Sequence, residues 1–286
     1  MKPFALALSG GGLLGAAHLG ALKFLESQHV RASAIAGTSA GGLVASLYAL
    51  QVPIDRLIAV GAMVAQHPRD YFHLNAEGLL HEVFPTLGAP ATGLLIPDQF
   101  IQALLALAPG ATTTDDWRIP TVLTSVDVIS LRAVAFVNHD LRKPTRGSWQ
   151  FLRHQPLALA MKATMALPGL FAAPHTKDAI YIDGGTADTL PIDWAYTLYP
   201  SRVVAIDVAT PPRVSVERVG LIDIVSRAEA YATATLSRLR SGPDPAVTVR
   251  PDTAGVPFFG FEDYHRLVDA GWAAMEAAWP QIAGDD

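Results

Sequence analysis

Gly37-Thr38-Ser39-Ala40-Gly41 follows the short apolar run Ala34-Ile35-Ala36 and leads straight into a helix-forming run from Ala40 to Leu50. Strand, tight turn and helix in that order are the setting of a nucleophile elbow, which makes Ser39 the first residue to consider. Such a turn brings backbone segments close together, so small residues two positions to either side are what it requires. Ser39 Oγ would stand clear of the sheet at a helix N-terminus. Unpaired N–H groups and the helix dipole favour the negative charge that develops there during acyl transfer. A plain serine in a glycine-rich turn carries the same letters, and the chain has 23 glycines, so the neighbouring segments decide.

Upstream, Phe4 to Ser9 reads as a buried strand that ends in Gly10-Gly11-Gly12-Leu13-Leu14-Gly15 before a helix from about Leu13 to Gln28. Strand, glycine loop and helix form an anion cradle. The letters match G-x-G-x-x-G, but a dinucleotide site needs an acid about 20 residues on, at the end of the second strand. Here the second strand leads to Gly37 and Ser39 instead. The competing use of the loop is an oxyanion hole, with the backbone N–H groups of Gly10, Gly11 and Gly12 aimed at an acyl oxygen. Both loops follow consecutive strands, so they fall side by side at the strands' carboxyl ends.

Downstream, a helix is expected over Ile54 to Gln66. Regular period then fails from His67 to Pro97, a stretch read as a covering segment or an inert insertion. Another helix covers Asp98 to Ala108. Pro120 to Val128 and Arg132 to Asn138 read as adjacent strands joined by a short turn. A helix from Pro156 to Leu167 is stopped at Pro168-Gly169, and a strand from Ala179 to Ile182 ends in Asp183-Gly184-Gly185. Helix Ile192 to Tyr199, strand Arg202 to Val208, a long amphipathic helix from about Val216 to Arg240, strand Ala246 to Arg250 and helix Glu262 to Ala278 complete the chain. The alternation implies a mostly parallel sheet covered on both faces.

A serine needs a base within hydrogen-bond reach. His265 is the only histidine after Asp183, and it sits on the apolar-periodic last helix. Asp183 is the better candidate: it stands at a strand end beside two glycines that admit close approach, although the same three residues can also make a plain turn.

The chain has 286 residues, 50% hydrophobic and 16% charged, enough for one domain with a large core and a cover segment near 67–97. No apolar run reaches the roughly 18 residues that span a bilayer. A net charge of −5 without basic clusters argues against a nucleic-acid partner. Cysteine is absent, so thiolate chemistry and disulfides are excluded. Phe4 to Leu8 is too short for a signal peptide, and a cytoplasmic location is expected. Arg218, Arg227, Arg238 and Arg240 on the Val216 to Arg240 helix leave peripheral membrane contact open. No aspartate-rich calcium loop is present, and no metal or cofactor is called for.

Together, Gly10-Gly11-Gly12-Leu13-Leu14-Gly15, Gly37-Thr38-Ser39-Ala40-Gly41, Met165-Ala166-Leu167-Pro168-Gly169-Leu170-Phe171 with Pro174, and Asp183-Gly184-Gly185 resemble, in order and spacing, the patatin-like phospholipase family. The resemblance spans about residues 4 to 210, and Phe258 to Gly271 is similar to the family's closing region. It implies a three-layer α/β/α fold, a Ser–Asp dyad without histidine, and hydrolysis of acyl esters of lipids. Carried over by position, Ser39 is the nucleophile, Asp183 the base, and Gly10, Gly11 and Gly12 the oxyanion hole. The substrate would be a lipid or other acyl ester, in an apolar pocket to which Tyr71, Phe72, Phe84 and the Pro257-Phe258-Phe259 stretch are candidate contributors. Two positions depart from the pattern. Leu14 stands where members commonly carry Arg or Lys, and Thr189 where an Asn is usual. The first leaves open a weak or silent lipid-binding module as the alternative to a phospholipase or carboxylesterase.

Overall fold

A computed structural model describes residues 2–83, 92–141, 149–199, 201–208, 224, 227–228, 231–232, 235, 244–256 and 260–284. In chain order the elements are β1 (Ala5–Leu8), α1 (Ala16–Ser27), β2 (Ala34–Gly37), α2 (Ala40–Ala49), α3 (Ile54–Gln66), β3 (His73–Leu74), α4 (Ala76–Val83), β4 (Gly93–Ile96), α5 (Asp98–Leu105), β5 (Thr121–Asp127), β6 (Arg132–Val137), β7 (Trp149–Leu152), α6 (Leu157–Met165), β8 (Gly169–Phe171), β9 (Tyr181–Asp183), α7 (Ile192–Leu198), β10 (Val203–Ile206), β11 (Val247–Val249) and α8 (Tyr264–Ala283). The main sheet runs β11-β10-β1-β2-β5-β6-β7, with β9 also paired to β5. Strands β11, β10, β1, β2 and β5 are mutually parallel, whereas β6 and β9 run against β5. The mostly parallel sheet with helices on both faces matches the sequence expectation.

The two faces differ in side-chain size. On one, Phe4, Leu6, Leu8, Ile35, Val204 and Ile206 join the apolar sides of α1, α2, α3, α5, α6 and α8. On the other, the alternating positions are Ala5, Ala7, Ala34, Ala36 and Ala205, which let α7 lie close to the sheet. Trp194 of α7 is fully buried there, edge-on to Trp149 at 4.8 Å and to Phe151 at 5.6 Å. That packing accounts for β7, which the sequence did not mark. Its four residues are held as a strand by pairing with β6 and by Trp194, both distant in the chain.

The stretch from His67 to Pro97 is not structureless. Its described part contains β3, α4 and β4, and β4 pairs in parallel with β8 to make a second, three-stranded sheet. Phe72 packs against Phe100 and Phe171 at 5.1 and 5.6 Å, so the excursion is stitched to the link between α6 and β9. Of the expected Val216 to Arg240 helix, Ile224, Arg227, Ala228, Tyr231, Ala232 and Thr235 are helical. The remainder lies outside the described residues, as do Phe84 and Pro257-Phe258-Phe259. Among the described residues no helix is long and apolar enough to cross a membrane.

Helices α1 and α8 meet backbone to backbone. A Cβ at Gly20 would fall on the Val268 carbonyl, and one at Gly271 on that of Ala17, while Phe24 lies edge-on to Trp272 and Trp279. Helix propensity alone would make Gly271→Ala stabilising by about 1 kcal/mol. The contact reverses the sign, and urea unfolding should show a loss of about 1–3 kcal/mol; a gain in stability would contradict this packing.

His18 of α1 is fully buried, and its Nε2–H donates to the Ser9 carbonyl at 2.9 Å, tying the helix to the end of β1. Burial lowers its pKa from 6.5 to about 4, an effect larger than the opposing hydrogen bond. Between those values the unfolded chain takes up a proton that the folded chain refuses. The associated stability is therefore present above pH 6.5 and declines by up to about 3 kcal/mol as the pH falls toward 4. The dependence of unfolding free energy on pH in that window should be shallower by about one proton in His18→Gln, and an unchanged slope would overturn the assignment.

Candidate active site

Strand β5 serves as a rail on which two other strands converge. Along one edge, β2 pairs in parallel as far as Gly37 opposite Leu123. The other edge belongs to β6, so antiparallel β9, with Asp183 opposite Ser125, must share the edge that β2 uses. The two strands run toward each other and stop on either side of Thr124. The consequence is a short bond: Ser39 Oγ donates to Asp183 Oδ2 at 2.6 Å. Thr124 fills the gap beneath. Its hydroxyl lies 2.7 Å from Thr38 Oγ1, which itself donates to the Asp188 carbonyl at 2.8 Å. Gly184 lies flush against Thr124, with no space for a side chain.

Ser39 adopts φ 54° and ψ −124°, a conformation sparsely populated by residues other than glycine. The surroundings hold it there. Its N–H donates to Thr164 Oγ1 at 3.0 Å, and its carbonyl accepts from Leu43 to start α2. A Cβ at Gly41 would come within 2.5 Å of the carbonyl oxygens of Leu8 and Ser9, which is why the position after the elbow is glycine. Asp183 is 3% exposed. Its Oδ1 accepts the Gly185 N–H at 2.7 Å, and its own N–H donates to the Ala166 carbonyl at 2.9 Å. The end of α6 thus grips both partners, Thr164 by the serine's amide and Ala166 by the aspartate's.

The glycine loop packs directly on the elbow. A Cβ at Gly10 would lie 3.3 Å from Ser39 Cβ, and one at Gly15 would lie 2.5 Å from Ala40 Cβ. The three expected oxyanion donors are not equivalent. Gly10 N–H already donates to the Thr189 carbonyl at 2.9 Å, whereas the amides of Gly11 and Gly12 have no hydrogen-bond partner among the described residues. Leu14 is buried in the main core, so no cation stands at that position of the loop. His265 is exposed on α8, edge-on to Tyr264, and no contact among the described residues joins it to Ser39. Tyr71 donates to Met63 Sδ at an exposed site, while Phe72 belongs to the aromatic cluster of the second sheet.

A hydroxyl and a carboxylate in this geometry can exchange a proton, and backbone N–H groups of a glycine loop packed on the elbow can donate to an anionic oxygen. Sequence reading brought Ser39, Asp183 and the glycine loop to one place but missed Thr164 and Thr124. Thr164 sits one residue before the Met165 to Phe171 motif, and a lone threonine in an apolar helix carries no signal of its own.

A model of the family described as "Patatin-like phospholipase" matches residues 6–196. The chain is 27% identical over 212 residues to mouse patatin-like phospholipase domain-containing protein 6, covering 72% of this chain and 13% of that protein. It is 27% identical over 193 residues to an uncharacterised NTE family protein of Mycobacterium tuberculosis, covering 66% and 44%. Among solved structures, VipD of Legionella pneumophila aligns over 97% of this chain and 66% of its own, with a TM-score of 0.50 and 13% identity, a likeness of fold. The chain therefore spans only a small part of the mouse relative's length. With a matching model over two thirds of its residues and the expected motifs at their places in the fold, the chain belongs to the patatin-like phospholipase family.

Proposed function

We propose that the protein is a lipid acyl hydrolase, of phospholipase A or carboxylesterase type, working through a Ser39–Asp183 dyad. The observation that carries this is the 2.6 Å bond from Ser39 Oγ to a carboxylate whose other oxygen is fixed by the Gly185 amide. Family membership supports the substrate class. Asp183 accepts the Ser39 proton as Oγ attacks the ester carbonyl, and the carbonyl oxygen, now anionic, accepts hydrogen bonds from the amides of Gly11 and Gly12. Collapse expels the alcohol, which takes the proton from Asp183. Water then gives a proton to Asp183 and its hydroxyl to the acyl carbon. Ser39 recovers that proton as the fatty acid leaves. Gly10, held by Thr189, shapes the loop without donating to the oxyanion.

The buried Leu14 sets the expected rate. Without a cation at the loop, the oxyanion relies on backbone donors, each worth about 2.7–4 kcal/mol. Turnover is accordingly expected to be slow but real. We further propose that the stretch near 67–97 covers the acyl site, because its β4 is tied to β8 beside the dyad's supporting link.

Hydrolysis of p-nitrophenyl esters from acetyl to palmitoyl tests the reading. Ser39→Ala should lose at least about 10³-fold in kcat/KM, and Asp183→Asn about 10²–10⁴-fold. Thr164→Val, which removes the hydroxyl that holds the serine's amide, should lower kcat about 10- to 100-fold with little change in KM, and Thr164→Ser should restore it. Retained activity in Ser39→Ala would overturn the proposal. Wild-type protein inert toward every ester would favour the lipid-binding module, for which Leu14 is the supporting observation.

A further inference from the structure

The turn between β5 and β6 has features that the catalytic reading does not use. Ile129 is 61% exposed and Leu131 is 84% exposed, and neither joins either core. Leu131 adopts φ 52°, a left-handed conformation suited to glycine or asparagine and unfavourable for a leucine. Four other non-glycine residues among those described have positive φ, namely His29, Ser39, Gln51 and His154. All are polar. Leu131 is therefore an aliphatic side chain at a strained position, projected into solvent with no packing in return.

The turn is also closed by a set of hydrogen bonds. Asp127 Oδ1 accepts the Ile129 N–H at 3.0 Å and the Ile180 N–H at 3.3 Å, while Oδ2 accepts the Ser130 amide at 3.3 Å and its hydroxyl at 2.5 Å. Val128 N–H donates to the Ile180 carbonyl, which joins this turn to a second one at 176–179, closed by Thr176 N–H to the Ala179 carbonyl. Lys177 on that turn and Arg132 at the start of β6 are both exposed. Lys177 is partly offset by Asp178 at 3.7 Å.

Its position relates it to the dyad. Asp127 lies four residues past Leu123, the partner of Gly37, which is about 13 Å farther along β5 at ~3.3 Å per residue. The turn thus projects beyond Ser39 at the carboxyl end of the sheet, and β9 leads from beside it down to Asp183.

We infer that residues 128–131 form an anchor that inserts Ile129 and Leu131 into a phospholipid surface and presents the Ser39 site to it. The inference rests on the lipid-hydrolase reading for its substrate but has its own readout. A second protein fits less well. Two exposed aliphatic side chains on a four-residue turn are far short of the roughly 800 Å² per partner that a stable interface buries. They do suit shallow insertion at the headgroup boundary, about 5–10 Å deep. With Lys177 partly neutralised, apolar insertion leads, and anionic lipid adds a modest increment through Arg132 and Lys177.

The test is co-sedimentation with phosphatidylcholine vesicles, with and without phosphatidylglycerol, for wild type, Leu131→Gly and Ile129→Ser/Leu131→Gly. Glycine suits the left-handed position, so Leu131→Gly should keep or raise Tm. It should nevertheless weaken vesicle partition several-fold, and the double variant about tenfold or more. Hydrolysis of soluble p-nitrophenyl butyrate should stay within about twofold of wild type. Partition unchanged in both variants would overturn the anchor, as would failure of the wild type to bind either vesicle. A dimer of the wild type that dissociates on Leu131→Gly would assign the turn to contact between copies instead. Vesicle binding without any ester hydrolysis would leave the anchor standing and remove the hydrolase reading.

Discussion

Strands β2 and β9 stop head to head on one edge of β5, and the Ser39–Asp183 hydrogen bond exists because they do. Neither residue could reach the other from a sheet in which β9 ran parallel to β5 or paired one register farther along, because Asp183 would then leave the gap above Thr124. The surrounding features follow from keeping that gap narrow. Thr124 and Thr38 fill its floor, the Thr124 hydroxyl donating to that of Thr38, Gly184 removes a side chain that would collide with Thr124, and the end of α6 holds the two amides that fix the serine and the aspartate. The strain at Ser39, a non-glycine residue at φ 54°, is tolerated because these contacts over-determine it.

The glycine loop depends on the same meeting point. With the elbow pressed against Gly10 and Gly15, the loop has no space for side chains toward Ser39, and its geometry is set by β1, by His18 and by the Thr189 carbonyl. This separates three glycines that look alike in the sequence: Gly10 is anchored by the Thr189 carbonyl, whereas the amides of Gly11 and Gly12 have no partner among the described residues. Leu14 then makes sense as packing. It joins the main core, where a cation without a partner would be costly to bury.

Much of this was legible in the sequence because it is local. The elbow shows as small residues around Ser39 between a strand and a helix, and the loop shows as a glycine run after the first strand. Asp183 shows as an acid at a strand end before two glycines. The resemblance joined these segments into one site, while Ser39 and Asp183 remained 144 residues apart in the chain. What was not legible is what depends on distant partners. β7 is a strand because of β6 and Trp194, β4 and β8 stabilise each other across a long excursion, and Gly10 differs from its neighbours only through Thr189. Thr164 has no local mark because its role arises where an α6 hydroxyl meets the Ser39 amide.

If Ser39 is a nucleophile activated by Asp183, its hydroxyl is the group an acyl-directed electrophile must label. Intact-mass analysis and peptide mapping after treatment with an alkyl fluorophosphonate test it most directly. A dyad of this kind gives a single adduct on the wild type, mapped to Ser39, much slower labelling of Asp183→Asn, and none of Ser39→Ala. An adduct on another residue, or equal labelling rates for wild type and Asp183→Asn, would contradict it.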